Sequence, residues 1–104
     1  MVSRVTLFEI DTLRVDIATV QARFEREVAP KLREFDGYHG VIALSTPEGK
    51  ALLLSLWETQ EALEAAAGFA SAALADFATM FKAPPGREIY DVAYLDLVGG
   101  AVTA

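Results

Sequence analysis

Residues 51–59 read ALLLSLWET, and no other stretch constrains the fold as strongly. The run reads as a strand that leads into Thr59, a residue suited to capping a helix. A strand on the surface of a small protein alternates apolar and polar residues. This one scarcely does: Leu52, Leu54 and Leu56 fill one face, while Ala51, Leu53 and Trp57 take most of the other. Both faces therefore need cover. A chain of 104 residues has a high ratio of surface to volume. With 53% hydrophobic and 23% charged residues it carries more apolar surface than one subunit of this size readily hides, which predicts association.

The rest of the chain supplies partners for that strand. Residues 2 to about 10 read as a first strand, with Val5 and Leu7 on one face and Thr6, Phe8 and Ile10 on the other. From about 14 to 35, Ile17, Val20, Phe24, Val28, Leu32 and Phe35 recur at helical steps, and Pro30 predicts a kink. Residues 38–45 form a second strand. TPEG then makes a hairpin turn, with Pro47 at its second position and Gly49 at its end. Beyond Thr59 an alanine-rich helical stretch runs from Gln60 to about Lys82, with a break expected near Gly68 and Ser71. APPG ends it, and residues 87–97 form a fourth strand.

The order β-α-β-β-α-β is the ferredoxin-like split βαβ unit, an α+β sandwich whose helices cover one face of a four-stranded antiparallel sheet. The other face stays bare. It would carry Val5, Leu7, Leu53 or its neighbours, and one row of the last strand. A second copy of the same sheet is the expected cover, because large exposed apolar patches are rare on soluble monomers. Two subunits would then form a dimeric α/β barrel with helices outside. A single domain is expected over residues 1–98, with 99–104 as a flexible tail.

Charge and composition remove several function classes. The net charge is −6 and the nine basic residues are scattered, so neither a nucleic acid nor an anionic membrane is expected as a partner. Without cysteine there is no disulfide, thiol nucleophile, zinc–cysteine site or iron–sulfur cluster. The segment MVSRVTLFEID does not read as a signal peptide and no apolar run approaches the ~20 residues of a membrane helix, so a cytoplasmic protein is expected. No phosphate loop, Ser-His-Asp arrangement, metal cluster, or nicotinamide or flavin fingerprint is visible.

Three segments carry a family resemblance that spans about residues 2–97. REFDGYHGVIALS, LLLSLWETQEALEA and VAYLDL resemble the helix end and second strand, the Trp-Glu-Ser/Thr corner, and the closing strand of the antibiotic biosynthesis monooxygenase superfamily of dimeric α/β barrels. Asp36 stands where that family more often has Pro. The family includes cofactor-free oxygenases of polycyclic phenols, haem-degrading enzymes and quinol oxygenases, so the fold does not fix the function. Against the haem-degrading branch, Thr6 stands where an Asn is required, Ala66 where a Trp is required, and Ala75 or Leu74 where a haem-ligating His is required. Haem degradation is therefore disfavoured. The phenol oxygenases commonly place Asn, Trp and Tyr around the phenol, and this sequence contains no Asn.

The resemblance implies a cofactor-independent monooxygenase, with no cofactor and no metal, acting on an apolar phenol, anthrone or quinol. Such an enzyme needs a hydrogen-bonding group near the substrate oxygen and a dry cavity. Thr6, His39 and Tyr90 are the catalytic candidates; Phe24, Trp57, Phe69 and Phe77 are the candidates for binding the substrate. Each has a structural alternative. Trp57 can anchor the strand-to-helix corner, the phenylalanines can be core, and His39 can be an exposed strand residue. The tyrosines Tyr38, Tyr90 and Tyr94 can stand at a barrel rim with their hydroxyls in water. Arg4 and Arg87 could meet a carboxylate or enolate, but surface pairing with Glu88 or Asp91 is the expectation. The alanine-rich helix could leave a cavity beneath it or pack closely. Two other functions stay open: a non-catalytic dimeric module for a small apolar ligand or a structural role, and a polyketide cyclase or isomerase on the same barrel.

Overall fold

Pairing along the two central strands fixes the sheet, and the sheet positions everything else. The computed structural model describes residues 1–99. Strand β1 (Val2–Glu9) pairs antiparallel with β3 (Lys50–Trp57) on one side and with β4 (Gly86–Asp91) on the other, while β2 (Tyr38–Ser45) pairs with the free side of β3. The order β2-β3-β1-β4 is that of the expected ferredoxin-like α+β fold. Thr6 lies opposite Leu53, Arg4 opposite Ser55 and Val2 opposite Trp57, so these residues share the face toward the helices. Val5 lies opposite Leu54 and Leu7 opposite Leu52, and these share the other. The open face thus carries the neighbours of Leu53, and Leu53 itself faces the helices.

The helices begin and break where local chemistry directs. Helix α1 (Ile17–Glu27) is capped by the Asp16 carboxylate, which accepts the Thr19 amide at 2.7 Å. Hydrogen bonding from the Thr19 side chain, and then from its amide, lowers the Asp16 carboxyl from its ordinary value. Inside a continuous helix the Pro30 ring would strike the carbonyl four residues back. The chain instead stops at Val28 and restarts as α2 (Ala29–Leu32), with Pro30 in the first turn, where a missing N–H costs nothing. Helix α3 (Gln60–Ala65) is capped by Thr59, whose hydroxyl accepts the Ala62 amide at 3.1 Å.

Three boundaries differ from the sequence reading. The second helical stretch breaks at Ala66, a buried residue, and Gly68 and Ser71 both lie inside α4 (Ala67–Phe77). An exposed glycine costs a helix only about 1 kcal/mol, so packing decides where the break falls. Regular α-helix ends at Phe77, and a single 3₁₀ turn over Ala78–Met80 leads to Phe81, which bridges to Ile10. The fourth strand stops at Asp91 rather than at 97: Asp91 lies opposite Val2, where β1 begins, and the Val92 amide donates to the Met1 carbonyl at 3.0 Å. The tail expected at 99–104 lies outside the described residues, apart from Gly99.

The core fills the space between sheet and helices. Val20, Val28 and Leu32 come from α1 and α2; Leu63, Ala66 and Phe77 come from α3 and α4; Trp57 and Ile10 come from the sheet side. Leu63 is 1% exposed, a burial worth about 1.5–3 kcal/mol. On the opposite face Ser3 and Leu56 are covered, but Leu7 is 46% exposed and Leu44 51%. Among the described residues no helix is long and apolar enough to cross a membrane.

Candidate functional site

Alanine leaves room where a larger side chain would fill it. Ala66, Ala70 and Ala73 recur at helical spacing and present only methyl groups toward the sheet. A cavity of about 70 Å³ lies beneath them. Leu53 and Trp57 line it from the sheet, Phe24 and Val28 from the first helical segment, and Leu63 and Phe77 from the second. A second cavity, of about 80 Å³, lies on the far side of Phe24, Leu53 and Phe77, the three side chains that line both. The two volumes together match the ~150 Å³ of an apolar cavity that admits benzene.

Few polar groups reach the first cavity. Thr6 is 4% exposed, and among the described residues its hydroxyl has no side-chain hydrogen bond. Ser55 accepts the indole N–H of Trp57 at 2.9 Å. Arg4 and Arg87 both line the space. The expected pairing of these arginines with Glu88 or Asp91 does not occur. Register puts Arg87 and Glu88 on opposite faces of β4, and among the described residues neither guanidinium forms an ion pair. Arg87 instead spans from β4 to α4, where its Nη1 donates to Ser71 Oγ at 3.1 Å. Its Nε and Nη2 are buried without a protein partner. Arg87 therefore sets a guanidinium with two unpartnered nitrogens beside an apolar cavity, and positive charge there favours the anionic form of a bound acid or phenol.

The residues singled out from sequence fall into three groups. Thr6, Phe24, Trp57 and Phe77 come together around the cavity. Phe69 stands behind it, 5.8 Å from the ring of Phe35, which meets Trp57 edge-on at 6.3 Å. His39 and Tyr90 lie elsewhere. His39 is the extra residue of a β-bulge: Tyr38 pairs with Trp57 and Gly40 with Leu56, which leaves His39 unpaired. Its Nε2 is 3.9 Å from Glu58 Oε2 in an exposed position. Tyr90 stands on the open face of the sheet, where its hydroxyl donates to the Glu88 carboxylate. That bond raises the Tyr90 phenol above its ordinary value. Sequence reasoning gave too little weight to Arg87; the signal was its place on the same strand parity as Ile89 and Asp91, facing the helices.

No protein-family model matches the chain, and no curated protein matches its sequence. Solved structures do match. A protein described as an antibiotic biosynthesis monooxygenase from Nitrosomonas europaea superposes with a TM-score of 0.72 at 14% identity, over 90% of this chain and 100% of the other. SnoaB, a cofactor-independent oxygenase from Streptomyces nogalater, gives 0.72 at 16% identity, over 90% and 94%. The haem degrader MhuD from Mycobacterium tuberculosis, with two haems in its active site, gives 0.67 at 20% identity, over 94% and 100%. At these identities the likeness establishes a shared fold, and the family resemblance read from the sequence is borne out at that level. Haem does not fit the residues present. Thr6, Ala66 and Leu74 line the cavity without an imidazole among them, and the chain's one histidine, His39, sits on the exposed bulge.

Proposed function

We propose that the protein is a cofactor-independent monooxygenase whose substrate is an apolar phenol, quinol or anthrone held between helices and sheet. One observation carries the reading: Arg4, Arg87 and Thr6 line an otherwise apolar cavity, and among the described residues neither arginine has an acid partner and the Thr6 hydroxyl has no hydrogen bond. Such a site draws a phenol or enol toward its anion. The electron-rich anion then reacts with dioxygen. For an anthrone the net change converts a ring CH₂ to C=O, with the second oxygen atom leaving as water and the substrate supplying all four electrons. Within one subunit Thr6 would donate to the reacting oxygen, Trp57, Phe24 and Phe77 would hold the ring, and His39 and Tyr90 would take no part. The cavity volume favours single-ring substrates over tricyclic ones.

The sheet's open face is proposed to pair with that of a second copy, in the cytoplasm, which completes the barrel and covers Leu7, Leu44 and their neighbours. The test of function is oxygen consumption by purified protein with hydroquinones and anthrones, without added metal, flavin or haem. Protein-dependent uptake with quinone appearing in step supports the reading; uptake no faster than autoxidation across the panel counts against it. A second reading, a non-catalytic ligand-binding module, is favoured by the absence of any carboxylate or imidazole from the described residues that line the cavity.

A further inference from the structure

We propose that the cavity binds a single-ring aromatic carboxylate, and that Arg87 takes the carboxylate through its Nε–Nη2 edge. This goes beyond the oxygenase reading and does not depend on turnover. The guanidinium has three nitrogens in a fixed plane. Nη1 is held by Ser71 Oγ at 3.1 Å, which fixes the plane between β4 and α4. The two nitrogens without a partner, Nε and Nη2, are both buried. They are the pair that share one edge of the guanidinium. Two parallel N–H groups on one edge match the two oxygens of a carboxylate, and a phenolate or carbonyl offers only one.

Charge and size point the same way. Buried N–H groups without an acceptor, such as Nε and Nη2 of Arg87, are costly to a folded protein, and a bound carboxylate removes that cost. Thr6, opposite Arg87 across the β1–β4 ladder, adds a hydroxyl and no charge. Apart from Arg4 and Ser55, the remaining walls are apolar, among them Phe24, Leu53, Leu63, Phe77 and the alanine methyls of α4. They suit a hydrocarbon ring directly attached to the acid group. The cavities of about 70 Å³ and about 80 Å³, which share Phe24 and Phe77 as walls, together have room for one ring.

The test is calorimetric titration of the protein with benzoate, with uncharged benzamide and with ringless acetate at neutral pH. Fluorescence of Trp57, the sole tryptophan and a wall of the cavity, serves as a second readout. Benzoate is expected to bind at least about tenfold more tightly than benzamide, the difference that a charge-assisted pair of hydrogen bonds provides, and acetate weakly or not at all. Arg87→Gln, shown by circular dichroism to be folded, is expected to bring benzoate down to the level of benzamide. Equal binding of benzoate and benzamide, no binding of either, or a preference that survives Arg87→Gln would each overturn the proposal. The wild-type comparison decides even where the variant does not fold. No oxygen is consumed in these titrations, so a silent oxygen assay beside intact benzoate selectivity defeats the oxygenase reading alone, and the converse result defeats this one alone.

Discussion

The indole N–H of Trp57 donates to Ser55 Oγ at 2.9 Å, so two residues of the same strand parity form one unit on the helix side of β3. Trp57 is 2% exposed, and Tyr38 meets it edge-on at 5.4 Å. A buried indole donor has nowhere else to turn. Ser55→Ala is therefore expected to destabilise the fold by about 1–3 kcal/mol, the cost of an unpaired buried donor. Denaturant unfolding measures it. A loss below about 0.5 kcal/mol would show that the indole finds another acceptor.

Leu63 sits at the bottom of the same space, 1% exposed. Leu63→Ala removes its packing and leaves a larger void, at an expected loss of about 2–5 kcal/mol. The variant should also admit a ring more readily. Thermal unfolding with and without benzene as a neutral probe checks both halves: the apo protein should melt lower than wild type, and benzene should raise the variant's Tm more than the wild type's.

The sheet was legible in the sequence because its signal is local. Doubly apolar β3, the turn residues Pro47 and Gly49, and the cap Thr59 each act within a few residues, and each stands where expected. The break at Pro30 was legible for the same reason. What escaped was set at long range. The break at Ala66 follows from packing against the sheet rather than from Gly68. The end of β4 follows from where β1 begins, since Asp91 lies opposite Val2 and the Val92 amide donates to the Met1 carbonyl.

Around the cavity, Thr6 and Trp57 share the strand parity that faces the helices, and Phe24 and Phe77 reach it at helical spacing. Parity could not place His39, because a bulge adds a residue that alternation does not anticipate. Nor could it pair Arg87 with Ser71, 16 residues away on another element. An arginine near acidic neighbours reads as a surface ion pair until the register separates their faces.

Gly37 offers a sharper test of the corner between α2 and β2. Its φ is +80°, its carbonyl accepts the Glu58 amide at 2.8 Å, and an added Cβ would lie 2.6 Å from the Ala62 Cβ. Gly37→Ala meets both a left-handed backbone, worth about 1–2 kcal/mol, and a collision. A loss of at least about 2 kcal/mol is expected on combining the two. Adding Ala62→Gly should relieve the collision but not the backbone term, so the double variant should recover part of the loss beyond what additivity gives. Strict additivity in denaturant unfolding would show that the two sites do not touch.

The Tyr90–Glu88 pair makes a pH-dependent prediction on the open face. The phenol donates to the carboxylate, and ionising it would lose that bond and set two negative charges together, so its pKa is raised. For an acid whose folded value is raised, the contribution to stability is complete below the unfolded value of about 10 and is lost as pH rises through the folded value. Glu88→Gln removes the repulsion and the charged acceptor. It should move the titration of Tyr90, followed by NMR at the phenolic carbon, to lower pH. No movement would mean that the pair is not formed in solution.

The open face also carries the prediction on assembly. Leu7 lies on β1 opposite Leu52, on the row shared by Val5 and Leu54, and is 46% exposed in one subunit. A charge there meets water in a monomer and meets apolar side chains if two sheets pack face to face. Burying an unpaired carboxylate at such an interface is far more costly than exposing it. Leu7→Glu is therefore expected to leave a folded protein, by circular dichroism, while light scattering at micromolar concentration falls from the mass of two chains for wild type to that of one. If wild type already scatters as a single chain, the sheet face is not the dimer interface. If Leu7→Glu stays dimeric, the two copies meet on another surface.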